Sequence, residues 1–158
     1  MRNIILLALL VAAGSVSAQD VWTTWETPAS PGRSPKKTTG IINYDSYKYS
    51  DYRKVPYEAL LQSTDGKSFY VLTDPFNMGG AKLDISLYIG DERNVIVEGA
   101  VASWTPSMGT ILPVSVQQLK KGTMLAVTFW LDGPGEYETG FVTYYFKLTG
   151  SSKAITNF

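Results

Sequence analysis

The sequence contains no cysteine and no histidine among its 158 residues. The chain therefore has no disulfide, no Cys or His nucleophile and no His general base. The usual ligands of zinc, copper and haem iron are missing as well, so we expect no metal and no cofactor. A catalytic site would need paired carboxylates, a Ser–Lys dyad or a metal ion held by oxygen atoms.

The sequence also lacks an excess of either charge, because 14 basic residues stand against 14 acidic ones. A balanced charge provides no electrostatic attraction for nucleic acid or for an anionic membrane surface, so we expect neither as a partner. Apolar residues make up 44% of the chain. That composition suffices for one hydrophobic core, and the length predicts a single domain.

The first eighteen residues have the pattern of a cleaved secretory signal peptide. A basic start with Arg2 precedes an apolar run at residues 4–13 and a small-residue segment that ends at Ala18. The apolar run is too short to span a bilayer, which requires about 20 residues. We therefore predict Sec-type export, cleavage after Ala18 and no membrane span afterwards. The absence of cysteine and of an Asn-x-Ser/Thr acceptor favours a bacterial protein that is periplasmic or secreted.

Residues 19–40 are predicted to form an N-terminal strand at 19–26 and a Pro/Gly-rich loop at 27–40. The strand carries Trp22 and Trp25, whose spacing places them on different faces of a regular strand. The following segment contains three prolines and two glycines, which is typical of a loop or linker. Residues 41–158, together with 19–26, are assigned to one β-rich domain.

Alternating apolar residues predict strands at 82–89, 123–131 and 141–148, and the last two are expected to pair. A turn at residues 63–66 predicts a hairpin. Residues 115–122 are predicted to form a short helix, because Ser115 can cap its start and Gly122 can end it. The tail after Gly150 is small and polar. Seven or eight short strands with one short helix predict an all-β fold, either an antiparallel β-sandwich or an open barrel.

Residues 41–57 contain half of the ten tyrosines of the chain, interleaved with charged residues. Such a segment can form a platform for a carbohydrate or a peptide, or an irregular sheet margin whose tyrosine hydroxyls remain in water. Stacking of nucleic acid fits poorly with the neutral charge. We predict a binding patch that combines four of these tyrosines with one of two tryptophans: Tyr44, Tyr47, Tyr49, Tyr52, and Trp22 or Trp25.

The loop between the last two predicted strands contains Asp132, Glu136, Tyr137 and Glu138. Its spacing does not match a calcium-binding loop, so a solvated turn is the simplest interpretation. One alternative hypothesis makes this loop the inserting element of a periplasmic inhibitor or immunity protein that blocks a cell-wall hydrolase or toxin. A second alternative makes it part of a carboxylate-based carbohydrate-active enzyme. No residue set meets the geometric requirements of a catalytic site, so we expect no enzymatic activity.

The second half of the chain resembles the invasion-associated locus B family of exported bacterial proteins. The resemblance involves residues 109–115, the Leu-Lys-Lys-Gly segment and following strand at 119–127, and residues 146–150. It implies a β-rich protein of the periplasm or cell surface, without known catalysis and linked to host-cell colonisation. Together these observations predict a non-catalytic binding module with a protein or glycan partner.

Overall fold

The computed structural model describes residues 21–50, 55–73, 76–132 and 139–157. Within these residues the chain forms two antiparallel β-sheets and two short helices. The all-β fold expected from the sequence is confirmed.

The first sheet has six strands in the order β1-β2-β4-β5-β9-β8. Their bounds are β1 Thr23–Thr27, β2 Lys36–Ile42, β4 Leu60–Ser63, β5 Phe69–Leu72, β8 Trp104–Thr105 and β9 Gly109–Leu112. The second sheet has five strands in the order β3-β11-β10-β6-β7. Their bounds are β3 Asp45–Ser50, β6 Lys82–Ile89, β7 Glu92–Val101, β10 Met124–Asp132 and β11 Thr139–Lys147.

One hydrophobic core lies between the two sheets, which gives a sandwich-like arrangement. In β10 the predicted alternation holds, and Leu125, Val127 and Phe129 are fully buried. Their neighbours in β11, Val142 and Tyr144, are fully buried too. The predicted pairing of these two strands is confirmed along their whole length. Since alternate residues of each strand point to opposite sides, the residues between these core positions form the outer face of the second sheet.

The predicted helix is α1, Val116–Lys121, and it begins at Ser115 with a capping box in which Ser115 and Gln118 each bond the other's backbone N–H. A second helix, α2, Ser151–Thr156, replaces the polar tail expected from the sequence. This helix buries Ile155, and the Ser151 hydroxyl donates to the Leu119 carbonyl at 3.1 Å. Within the described ranges no helix has the length and hydropathy needed to cross a membrane.

The expected loop at 27–40 is only partly correct, because β2 begins at Lys36 and Thr38 to Gly40 are buried. Gly40 allows β2 and β4 to lie close together here. A Cβ atom at Gly40 would lie 2.6 Å from the Leu61 carbonyl oxygen and 3.2 Å from the Trp25 ring. The Pro/Gly-rich composition of this segment predicts a loop, but Gly40 is required inside a sheet because no side chain would fit there.

Candidate functional site: an aromatic face on the second sheet

The outer face of the second sheet carries large aromatic side chains at one end. Trp130 of β10 and Phe141 of β11 lie on this face because they alternate with core residues along their strands. Tyr47 and Tyr49 of β3 lie on the same face. The side chain of Tyr49 is 69% exposed, that of Tyr47 56% and that of Trp130 41%. Single exposed aromatic residues are common, but several grouped on one exposed face mark a candidate interaction surface.

The register of the strands brings these four side chains together. Phe141 pairs with Tyr49 on one side and with Trp130 on the other. The ring centroid of Phe141 lies 4.9 Å from that of Trp130, 6.1 Å from that of Tyr49 and 5.8 Å from that of Tyr47. These separations are typical of interacting aromatic pairs. We call these four residues, Tyr47, Tyr49, Trp130 and Phe141, the aromatic cluster.

A hydrogen bond fixes the orientation of Trp130. Its indole Nε1–H donates to Asp84 Oδ2 at 2.5 Å, and Asp84 Oδ1 accepts the backbone N–H of Gly99 at 2.7 Å. Asp84 belongs to β6, which lies between β10 and β7. Its carboxylate therefore links the Trp130 ring to the backbone of the next strand.

An irregularity in β7 makes the Gly99 N–H available. Leu83 pairs with Ala100 and Ile85 with Val97, so two residues of β7, Glu98 and Gly99, lie opposite the single residue Asp84. This arrangement is a β-bulge, and Gly99 adopts a φ of 67°, which glycine accepts without strain. The bulge turns a backbone N–H toward the Asp84 carboxylate.

A shallow cleft of about 290 Å³ adjoins the Trp130 ring. It is lined by Lys82, Asp84, Glu98, Gly99 and Trp130. Lys82 pairs with Trp130 across the strands, and both Lys82 and Glu98 are exposed. Among the described residues, neither of these two side chains forms a hydrogen bond or an ion pair. The cleft thus has one unused donor and one unused acceptor beside an aromatic ring.

The chain matches no protein-family model, no curated protein and no solved structure. The resemblance to the invasion-associated locus B family therefore stays an expectation based on residues 109–115, 119–127 and 146–150.

Tyr44 lies on the same outer face at the opposite end. Its ring is 6.4 Å from that of Tyr145, its hydroxyl donates to the Met124 sulfur at 3.2 Å, and the Lys147 ammonium lies 5.0 Å from the ring centroid. Burial raises the pKa of Tyr145, and nearby Tyr88 and Asp45 add to the effect, so its hydroxyl is neutral at physiological pH. Tyr52 lies outside the described residues. Of the four predicted tyrosines, Tyr47 and Tyr49 therefore share the aromatic cluster, and Tyr44 is separate from it.

The two tryptophans predicted to join the tyrosines lie elsewhere. Trp22 is half-buried against the core, and its indole donates to the Lys147 carbonyl at 3.3 Å. Trp25 belongs to β1 in the first sheet, and its ring is close to Gly40. The tryptophan beside Tyr47 and Tyr49 is Trp130.

The acidic loop lies for the most part outside the described residues. Glu136, Tyr137 and Glu138 belong to the segment 133–138, and Asp132 is the last residue of β10. The segment connects the two strands that carry Trp130 and Phe141. In the part of the chain that the structure describes, no group of three or more acidic residues is placed to hold a metal ion.

Sequence reasoning did not identify Trp130, Phe141, Asp84 or Gly99 as site residues. The strand alternation contains a signal for the first two, since Trp130 follows Phe129 and Phe141 precedes Val142, both of which are core residues. A large aromatic residue on the face opposite the core is a candidate for surface recognition. Asp84 and Gly99 depend on the bulge, for which the sequence offers only an isolated glycine inside a strand.

Proposed function

We propose that this protein is an exported, non-catalytic binding module that contacts a protein or glycan partner through the aromatic cluster. The observation that carries the proposal is the contact of Phe141 with the rings of Tyr47, Tyr49 and Trp130 on an exposed sheet face. Export is supported by the signal-peptide pattern of residues 1–18.

Aromatic side chains of this kind are suited to recognition. They supply a large contact area and lose little conformational entropy on binding, because each side chain has only two rotatable bonds. Trp130 loses even less, since its indole is already hydrogen-bonded to Asp84. The aromatic cluster is therefore preorganised at one end.

The charges beside the aromatic cluster oppose a nucleic-acid partner. The cleft next to Trp130 carries the carboxylates of Asp84 and Glu98 and the ammonium group of Lys82. A phosphate backbone requires a surplus of basic groups, whereas these three side chains sum to one negative charge. A neutral or weakly charged partner fits this surface better.

The role of Asp84 supports binding over catalysis. Both of its carboxylate oxygens accept hydrogen bonds from the protein, one from Trp130 and one from Gly99. A carboxylate used in this way positions an aromatic ring and links it to the backbone of β7.

The proposal is tested by partner capture with variants of the aromatic cluster. Immobilised wild-type protein is compared with the double variant Tyr47→Ala/Tyr49→Ala, using periplasmic extract and a panel of polysaccharides. Tyr57→Ala is the matched control, because Tyr57 is 61% exposed and lies outside the aromatic cluster. We expect the double variant to lose capture while circular dichroism shows that it remains folded at the assay temperature, and the control captures normally. Equal capture by all three proteins would refute the proposal.

A further inference from the structure

We propose that the ligand of the aromatic cluster is a single chain of β-1,4-linked, uncharged hexopyranose sugars. The inference rests on the proposed function and specifies the chemistry of its partner. Three properties of the surface support it: unused polar groups beside Trp130, a row of rings across the strands, and an edge that is unsuited to a peptide strand.

The first property is the pairing of an aromatic ring with unused polar groups. A sugar ring has an apolar face of C–H groups and a rim of hydroxyls, so its binding site needs an aromatic surface flanked by donors and acceptors. The Trp130 ring is half-exposed, with the Lys82 ammonium as a donor and the Glu98 carboxylate as an acceptor lining the same cleft. Neither Lys82 nor Glu98 uses its side chain within the described structure. Both are therefore available to sugar hydroxyls.

The second property is the row of rings that runs across the strands. Tyr49, Phe141 and Trp130 occupy paired positions on three neighbouring strands, so they form a line with room for more than one sugar ring. Chains of β-1,4-linked glucose or N-acetylglucosamine are extended and present flat ring faces, whereas α-1,4-linked glucose chains curl. The line of aromatic rings matches the extended form.

The tilt of the rings indicates a single chain. The plane of Phe141 makes an angle of 36° with that of Tyr49 and 45° with that of Trp130. The rings share no common plane, so the flat face of a crystalline polysaccharide would not contact all three together. A single chain can rotate about each glycosidic bond and follow the twist of the sheet.

The third property is the condition of the sheet edge next to the cleft. β7 is an edge strand, which is where an extended peptide would add to the sheet. Its bulge at Glu98 and Gly99 interrupts the regular ladder, and the Gly99 N–H is already bonded to Asp84. A bulge of this kind protects an edge against strand addition. At this edge, beside the cleft, a peptide strand is therefore a poorer occupant than a glycan lying on the outer face.

Isothermal titration calorimetry with defined hexasaccharides tests the inference. The probes are cellohexaose and chitohexaose, which are β-linked, and maltohexaose, which has the same glucose composition as cellohexaose with α linkages. We expect saturable binding of at least one β-linked probe and affinity for maltohexaose weaker by about tenfold or more.

Variants locate the binding on the aromatic cluster. Trp130→Ala should weaken the affinity for the β-linked probe about tenfold or more, because it removes a stacking surface. Glu98→Ala should weaken it by about threefold, since it removes one hydrogen-bond acceptor at an exposed site. Tyr57→Ala is the control and should bind like the wild type. Circular dichroism on each variant establishes that the fold is retained.

The outcomes separate this inference from the proposed function. If no β-linked probe binds, or if maltohexaose binds as tightly, the glycan assignment is wrong. Binding that is unaffected by Trp130→Ala would equally overturn it. If the glycan assignment fails while Tyr47→Ala/Tyr49→Ala still abolishes capture of another partner, the proposed function stands and its partner is a protein. If both experiments fail, the proposed function falls as well.

Discussion

Trp130 and Asp84 are joined by a hydrogen bond between neighbouring strands, in which the indole Nε1–H donates to Asp84 Oδ2 at 2.5 Å. The bond connects the aromatic cluster to the bulge of β7, because the same carboxylate accepts the Gly99 N–H. An exposed indole without such a partner would exchange among rotamers and lose that freedom on binding. Asp84 thus acts as a positioning residue for the ring.

Replacing Asp84 by alanine should reduce ligand affinity while the Trp130 ring remains present. The indole loses its acceptor and the Gly99 N–H loses its partner, so we expect an affinity decrease of about threefold to tenfold. Acrylamide quenching of Trp130 fluorescence should increase in this variant, a change that general destabilisation alone would not produce in a fully folded sample. Asp84→Asn keeps one acceptor oxygen and should have an intermediate effect. Unchanged affinity and quenching in Asp84→Ala would contradict the positioning role.

Gly99→Ala should destabilise the protein by about 1 to 2 kcal/mol, because residue 99 has a φ of 67° and a side chain strains the backbone there. Beyond its two chain neighbours nothing stands within 4 Å of a Cβ at this position, so the cost comes from the local backbone conformation and not from packing against other residues. Chemical denaturation measures the change. Gly99→Asn is the matched variant, since asparagine tolerates the left-handed region, and it should recover much of the loss. Equal stability of Gly99→Ala and the wild type would show that the bulge conformation is not required.

Tyr144→Phe should lower the free energy of unfolding by about 1 kcal/mol. The fully buried ring directs its hydroxyl to the Pro56 carbonyl at 2.6 Å, and burial raises the pKa of this hydroxyl, so it stays protonated and keeps donating. The loss of this bond should also loosen the segment before β4. Urea denaturation measures the stability, with Tyr57→Phe as the exposed control. No difference between the two variants would exclude a structural contribution from the hydroxyl.

The hairpin between β4 and β5 should contribute to acid sensitivity through Asp65. Partial burial raises the pKa of Asp65, but hydrogen bonds from the backbone N–H groups of Ser68 and Lys67 outweigh it, and the pKa lies below its usual value. Because the pKa of Asp65 is lower in the folded state, its carboxylate stabilises the fold at pH values above the unfolded-state pKa of about 3.9. This stabilisation is lost as the pH falls through the folded-state pKa. Asp65→Asn should therefore be less stable than the wild type at neutral pH. The difference in stability between the two proteins should vanish in strong acid. Melting curves recorded from neutral pH to strong acid measure it, and a difference that does not depend on pH would contradict this role of Asp65.

The parts of the fold that depend on local pattern were predictable from sequence. Strands β6, β10 and β11 follow from strict alternation, and α1 follows from its Ser115 cap and Gly122 end. In these segments the local preference and the tertiary environment favour the same structure.

Other segments depend on contacts between distant residues, which local pattern does not contain. Residues 36–40 join a sheet because Gly40 allows close packing against Leu61, and α2 is held by the contact of Ser151 with Leu119. The candidate site also depends on contacts between residues that are distant in sequence. The abundance of tyrosine indicated Tyr47 and Tyr49, but the bond from Trp130 to Asp84 joins residues 46 positions apart and requires the strand register and the bulge.

Fluorine NMR of protein labelled with fluorotryptophan tests most directly whether the aromatic cluster is the binding surface. The chain contains four tryptophans, Trp22, Trp25, Trp104 and Trp130, and single Trp→Phe variants assign each resonance. Cellohexaose, or the partner captured by the immobilised protein, is then titrated in. We expect the Trp130 resonance to move until the protein is saturated, while those of Trp22 and Trp25 stay in place. Saturating ligand that leaves Trp130 unmoved, or that shifts Trp22 and Trp25 instead, would contradict this expectation.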